Sequence, residues 1–143
     1  MACERKTKLT ILSEIDNLTE GGASVDDVER TEITAQGTSL VRDGALLISY
    51  STEENGERTD TEITVTEDTV TVRREGAAEH EFVFREGFTH RTVYRVGAYA
   101  FDAEVRAKRI RNNIALEGGR LDLFYSMVIG GAEKRVRMKI ISE

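Results

Sequence analysis

The sequence contains few side chains of the kinds that bind metals or act as nucleophiles. His80 and His90 are its only histidines, and Cys3 is its only cysteine. The histidines fit neither an HxH nor an HExxH pattern, and a lone cysteine allows no intrachain disulfide and no cysteine-based metal site. The chain also has no Gly-x-Ser-x-Gly elbow and no glycine-rich phosphate loop. We therefore expect no metal, no cofactor and no catalytic residue.

Carboxylates are concentrated in one short segment, where Glu53 and Glu54 precede Asn55-Gly56. The segment lacks the ligand spacing of a calcium-binding loop. Asn-Gly is instead a strong signal for a two-residue hairpin turn. A hydrolase-like enzyme that uses Glu53 or Glu54 as a base beside Tyr50 is one alternative, but no complete catalytic set accompanies these residues.

Two hairpin turns predict an arginine on the same face as the apolar core. The turns are Asn55-Gly56 and Glu67-Asp68, each with two residues. They predict two antiparallel pairings, 46–54 with 57–65 and 61–66 with 69–74. In these registers Tyr50, Thr61 and Arg74 form one inward layer. Arg74 is then either the anchor of an anionic or carbonyl-bearing ligand, or a polar plug bonded to neighbouring acceptors.

The C-terminal part predicts a second meander beside this layer. Glycine pairs at 118–119 and 130–131 predict the pairing of 112–117 with 120–125 and of 121–129 with 132–140. The candidate ligand-binding residues from both meanders are Arg74, Tyr50, Thr61, Glu53, Tyr94, Tyr125 and Asn112. The outer face carries Phe124, Val128 and Ile141, which are either scattered apolar surface or the interface of a homodimer.

The charge of the chain is unevenly distributed. The net charge is −6, yet residues 105–143 hold 9 Lys and Arg against 4 Asp and Glu, while residues 1–104 hold 11 against 22. Arg106, Lys108, Arg109 and Arg111 form a basic cluster that can share one strand face only if a bulge intervenes. No aromatic residue stands within it, and base stacking needs one. We therefore expect a solvated face that the acidic part neutralises, and no nucleic-acid partner.

The elements that position these residues are strands. Apolar residues recur with period two along almost the whole chain of 143 residues, and residues 1–6 are expected to fray and residues 16–27 to form a long loop. A bulge or bend is expected at Gly37. The register around Gly87 stays open, because a two-residue loop faces Val93 inward and a longer loop faces Tyr94 inward. With 39% hydrophobic residues, we expect one all-β domain over 1–143.

The architecture expected from these strands is a single antiparallel up-and-down β-barrel of about eight to ten strands, because closure removes both sheet edges. The longest apolar run is about four residues, too short for a membrane span. The first residues contain no apolar signal segment. We expect a cytoplasmic protein with no membrane partner.

Several motifs resemble the YwiB-like family, small bacterial proteins of unassigned function with a lipocalin-like, calycin-type barrel. The resemblance runs from about Glu29 to Ser142. The motifs that carry it are Gly37, 46–50 with Glu53, 70–76, 82–87, Tyr94, and 121–125 ahead of Gly130-Gly131. The resemblance implies a lipocalin-like barrel and brings no activity with it.

Two further functions are compatible with such a barrel. One is the binding of a small molecule in the lumen, with Arg74 and the tyrosines orienting it. The alternative is a scaffold for protein interaction, with a filled lumen and an active outer surface. A cavity of a few hundred Å³ that reaches Arg74 favours the first, and a filled lumen favours the second.

Overall fold

The computed structural model describes residues 4–18 and 24–143. These residues form ten β-strands and no helix, so none of them could cross a membrane as a helix. In chain order the strands are β1 (Arg5–Leu18), β2 (Ser24–Arg42), β3 (Ala45–Glu54), β4 (Glu57–Val65), β5 (Val70–Glu75), β6 (Ala78–Phe84), β7 (Thr89–Val96), β8 (Tyr99–Ala115), β9 (Gly118–Ile129) and β10 (Ala132–Ser142).

The ten strands close into one antiparallel up-and-down barrel. Each strand pairs with its neighbours in the chain, and β1 pairs with β10 to complete the circle. The predicted all-β barrel is therefore confirmed, with ten strands. Closure gives every strand two neighbours and so leaves no strand at the edge of an open sheet. We call the end that carries the β3–β4, β5–β6, β7–β8 and β9–β10 turns the upper end of the barrel.

Three of the four predicted registers are confirmed. Ile48 lies opposite Ile63, and Ile63 lies opposite Val72, so the first two hairpins share one buried face. In the predicted pairing of 121–129 with 132–140, Leu123 lies opposite Met138. In the first hairpin Asn55 has a φ of 54° and Gly56 a φ of 79°. These are the positive values that a two-residue type I′ turn requires at both positions.

The register predicted for β8 and β9 is wrong by four residues. Leu121 pairs with Asn112 rather than Leu116, because the turn is formed by residues 116–117 and not by the two glycines. Gly118 and Gly119 are instead the first residues of β9, with φ values of 125° and 133°. A Cβ on Gly119 would stand 2.1 Å from the Asn113 carbonyl oxygen, so glycine allows two backbones to approach closely here.

Strands cover part of the residues expected to form a loop and a frayed terminus. β1 continues to Leu18 and β2 begins at Ser24, so strand pairing covers both ends of the range 16–27. Residues 19–23, including Gly21-Gly22, lie outside the described residues, as does Cys3. Arg5 already pairs with Ser39, so residues 5 and 6 belong to a strand rather than to a frayed end.

Gly37 marks the place where β2 leaves β3. The two strands pair from Gly37↔Tyr50 down to Arg42↔Ala45, and above Gly37 β2 pairs only with β1. A Cβ at Gly37 would lie 2.5 Å from the Ser49 carbonyl oxygen and 2.7 Å from a Leu9 methyl carbon. Because Gly37 has no side chain, β2 can approach β1 and β3 closely at the point where it separates from β3. The register of β1 with β2 continues through Gly37 without the expected bulge.

The lower half of the barrel is filled by its own side chains. Fully buried residues such as Leu9, Ile48 and Phe84 form this core. Polar groups close it beneath: the hydroxyls of Thr7 and Ser142 are 2.5 Å apart, and Thr7 also donates to the Glu143 carbonyl at 2.9 Å. Because the lower half is packed and closed, any internal space must lie toward the upper end.

Candidate functional site

The inward polar layer lies where the first two hairpins predict it. Tyr50 pairs with Thr61, Thr61 with Arg74, and Arg74 with His80. Tyr50 and Thr61 are buried and Arg74 is half-buried. Its neighbour Arg73 lies on the outer face, where its guanidinium is 3.9 Å from the Glu62 carboxylate. The alternation of the strand thus places one arginine inside the barrel and the next one outside.

A cavity of about 440 Å³ occupies the upper half of the barrel and reaches Arg74. Side chains of β1, β2, β5, β6, β7, β9 and β10 line it. The apolar part of the wall includes Ile11, Ile15, Phe82, Phe84, Met127, Ile129, Val136 and Met138. Thr31 and Ala132 also line the cavity and are exposed, so it opens to solvent. The barrel therefore holds an apolar chamber of ligand size.

Arg74 has no partner in the part of the chain that the structure describes. Neither a hydrogen bond nor an ion pair joins its guanidinium to any residue of 4–18 or 24–143, and no aspartate or glutamate among these residues lines the cavity. Lys134 brings a second cation to the same wall. A cation in an apolar cavity normally requires a counter-charge or several acceptors. The cavity is therefore electrostatically suited to an anion.

His80 lies beside Arg74 and was not identified as a site residue from the sequence. Its ring stacks on Phe82 at 4.1 Å and on Tyr94 at 5.3 Å between centroids. Burial, assisted by the Arg74 charge, lowers the pKa of His80 to about 4, so the imidazole is neutral near pH 7. Its Nδ1 is buried and has no hydrogen-bond partner among the described residues. Phe82 and Phe84 face inward, and the period of two extends that face to His80.

Two of the predicted tyrosines line the cavity. Tyr125 is buried with its ring 4.5 Å from that of Phe84, and burial raises the pKa of its hydroxyl to about 12, an effect that the Arg74 charge partly opposes. The hydroxyl therefore stays protonated and can donate a hydrogen bond. Tyr94 faces inward and Val93 outward, which resolves the register around Gly87 in favour of the longer loop.

The other four predicted site residues do not line the cavity. Tyr50 and Thr61 are buried on β3 and β4 and line a different pocket, beside Gly37. Glu53 is exposed, and the alternation from buried Tyr50 turns it to the outer face, so it cannot reach the cavity. Asn112 is exposed, and its amide donates to the Thr66 carbonyl at 3.4 Å, near the lower end. The β8–β9 register explains the error for Asn112, because the shift of four residues moves it away from Tyr125. Among the described residues, no group of three or more His, Cys, Asp or Glu side chains is arranged so that it could hold a metal ion.

The outer apolar residues considered for a homodimer do not form one continuous surface. On β9, Ser126 separates Phe124 from Val128 along the outer face, and Arg135 pairs with Ser126. Ile141 pairs with Arg120 toward the other end of the barrel. The three apolar side chains are thus separated by polar and charged ones, and a homodimer through them stays a prediction.

Comparisons with known proteins agree with this architecture. Residues 17–140 match a family model described as a domain of unknown function (DUF1934). Among solved structures, the chain is similar to the crystal structure of the ywiB protein from Bacillus subtilis, with a TM-score of 0.85 and 24% identity. The match covers 98% of this chain and 92% of that one. No match was found among the curated proteins. The resemblance to the YwiB-like family is thereby confirmed.

Proposed function

The chain belongs to the DUF1934 family, whose function is unknown, and we propose that its barrel binds a small amphipathic anion in the upper cavity. The observation that carries this proposal is Arg74, a cation without a partner among the described residues, at the wall of an apolar cavity of about 440 Å³. Volumes of roughly 300–1,000 Å³ are typical of small-molecule sites. The ligand class is a carboxylate or similar anion with an apolar body.

The polar groups around Arg74 support an anionic head group at that position. A guanidinium presents several N–H donors in a plane and binds carboxylates through two parallel bonds. Tyr125, with its pKa raised to about 12, supplies a further donor. His80, with its pKa lowered to about 4, adds no second positive charge and leaves Nδ1 free to accept a hydrogen bond from a ligand. The apolar wall would cover the rest of the ligand.

Three observations favour this function over the alternatives. A plug requires Arg74 to bond to neighbouring acceptors, and no such bond occurs among the described residues. A scaffold with a filled lumen would lack the cavity. The hydrolase-like alternative loses its base, because Glu53 faces outward and no carboxylate of the described residues lines the cavity.

Displacement of a fluorescent anion tests the proposal. The probe is 1-anilinonaphthalene-8-sulfonate, and the competitors are dodecanoate and dodecanol, which share an apolar chain and differ in charge. We expect dodecanoate to displace the probe at lower concentration than dodecanol. Arg74→Met should weaken dodecanoate about tenfold or more, in line with the loss of a charge-assisted hydrogen bond, and should leave dodecanol unchanged.

Arg73→Met is the matched control, since the same side chain is changed on the outer face of the same strand. It should leave both competitors unaffected. Equal displacement by acid and alcohol, or an Arg74→Met variant that binds dodecanoate normally, would overturn the anion site. Urea unfolding of Arg74→Met without ligand distinguishes a structural plug from a ligand anchor. If Arg74 is a plug, the free energy of unfolding falls by about 1–3 kcal/mol. If it is the proposed anchor, the stability of the ligand-free protein is unchanged or slightly higher.

A further inference from the structure

The four cations of β8 all lie on the outside of the barrel. Ala107 pairs with Tyr125 and Arg109 pairs with Phe124, so Lys108 is an extra residue that forms a β-bulge. The bulge shifts the alternation by one residue. Arg106 and Lys108 therefore point outward, as do Arg109 and Arg111 beyond the bulge, and all four are exposed.

Neighbouring strands extend this surface. Arg120 of β9 and Arg137 and Lys139 of β10 are also exposed on the outer face. A groove of about 390 Å³ runs between them and is bounded on the other side by Arg109 and Arg111. We call these seven outward cations of β8, β9 and β10 the basic face.

An aromatic ring lies in the middle of the basic face. Phe124 of β9 is paired with Arg109 on one side and Arg137 on the other. The Lys108 ammonium is 5.7 Å and the Arg137 guanidinium carbon 5.2 Å from the centre of its ring. No aromatic residue stands within the β8 cluster in the sequence, but the adjacent strand supplies one in the structure.

The positive charge of the basic face is largely uncompensated. Arg120 pairs with Asp122 at 3.0 Å, and none of the other six cations forms an ion pair with a described residue. Glu14 and Glu86 lie at the borders of the basic face. The Glu14 carboxylate is 3.8 Å from Arg30, and the Glu86 carboxylate accepts a hydrogen bond from the Ile110 amide. The expected mutual neutralisation of the two parts is therefore incomplete.

We propose that the basic face binds single-stranded nucleic acid, with phosphates on its arginines and a base against Phe124. Single-strand binding combines a positive groove with aromatic rings on which bases stack, and the groove beside Phe124 offers both. Arg106 and Arg111 are about 16 Å apart along an extended strand, which limits the contact to a few nucleotides. An acidic protein would satisfy the charges but would not require the half-buried Phe124 ring among them.

Fluorescence anisotropy with a labelled oligouridine of about twelve nucleotides tests this proposal. We expect binding that weakens steeply with salt, because each phosphate contact on a single strand contributes a slope of about −0.7 in the logarithm of the binding constant. The double variant Arg109→Gln/Arg111→Gln should make that slope shallower by about 1.4. Phe124→Leu should weaken binding about fivefold or more, because a stacking ring is lost.

Two control variants separate this site from the rest of the protein. Arg73→Gln removes an outward cation of β5 that lies outside the basic face, and Arg74→Met removes the cation of the cavity; neither should change oligouridine binding. If Arg74→Met weakens dodecanoate binding and leaves oligouridine binding unchanged, the two sites are distinct. Circular dichroism and thermal melting confirm that each variant is folded.

Two outcomes would overturn the nucleic-acid assignment. If polyglutamate of similar length binds as tightly as oligouridine, and Phe124→Leu changes the binding of neither, the partner is an acidic protein. If oligouridine does not bind, the nucleic-acid site is wrong. If sedimentation then shows a dimer that Arg109→Gln/Arg111→Gln dissociates, the basic face contacts acidic residues of a second copy.

Discussion

Replacement of His80 by phenylalanine should change how the stability of the protein depends on pH. The His80 ring stacks on Phe82 and Tyr94, and phenylalanine preserves a flat ring in that position. The substitution removes the titrating group and the buried Nδ1 that lacks a partner among the described residues. It leaves Arg74 and the cavity wall in place, so the comparison isolates the imidazole.

The magnitude follows from the pKa of His80 in the two states. Its pKa falls from the ordinary histidine value of 6.5, which applies to the unfolded chain, to about 4 in the folded protein, chiefly through burial. Between these values the unfolded chain binds more protons than the folded one, so stability is lost as the pH falls. The linkage relation gives a loss of about 2 kcal/mol between pH 7 and pH 5, with the full effect of about 3 kcal/mol reached below the folded pKa.

Urea unfolding of the wild type and the His80→Phe variant at pH 7 and pH 5 measures this contribution. Carboxylates titrate in both proteins and cancel in the difference between them. We expect the wild type to lose about 2 kcal/mol more than the variant over this interval. The same pH dependence in both proteins would refute the reasoning, since His80 would then bind its proton equally well folded and unfolded.

Two further predictions concern the barrel wall. Gly119→Ala should lower the free energy of unfolding by more than about 2 kcal/mol, because its Cβ would stand 2.1 Å from the Asn113 carbonyl oxygen at a φ of 133°. Gly131→Ala should destabilise the protein less, because there is open space around Gly131. The reverse order of stabilities in chemical denaturation would contradict the contact at Gly119. Ser39→Ala should leave stability unchanged or raise it by about 1 kcal/mol, because the buried Ser39 hydroxyl has no partner among the described residues; a clear loss in a thermal melt would show that this hydroxyl is satisfied in solution.

The residues of two-residue turns account for the parts of the fold that could be predicted. Asn55-Gly56 admits a tight turn, and a tight turn leaves one register for the strands that it joins. That register places Arg74 on the face of Ile63 and Val72, where the structure has it. Glycine pairs are less informative, because glycine also occurs where two backbones approach closely. For this reason Gly118-Gly119 indicated the wrong turn and placed Asn112 in the wrong layer.

The candidate site combines both kinds of information. The alternation along each strand was sufficient to place Arg74 and Tyr125 inside, and the same alternation could have identified His80 from Phe82 and Phe84. It could not decide between Val93 and Tyr94, because that choice depends on the length of the β6–β7 loop. The same rule, applied from buried Tyr50, places Glu53 on the outer face, and its assignment to the ligand-binding residues neglected this alternation.

The sequence by itself thus determined the strand class, three registers and the inward position of Arg74, because these depend on local alternation and on turns of two residues. Only the tertiary structure decided that the upper half of the barrel is a cavity and that Arg74 has no partner there among the described residues. The same holds for Phe124, which reaches the β8 cations from the adjacent strand. Empty space and unpaired charge depend on how strands that are distant in the sequence close around one another. No short stretch of sequence encodes that arrangement.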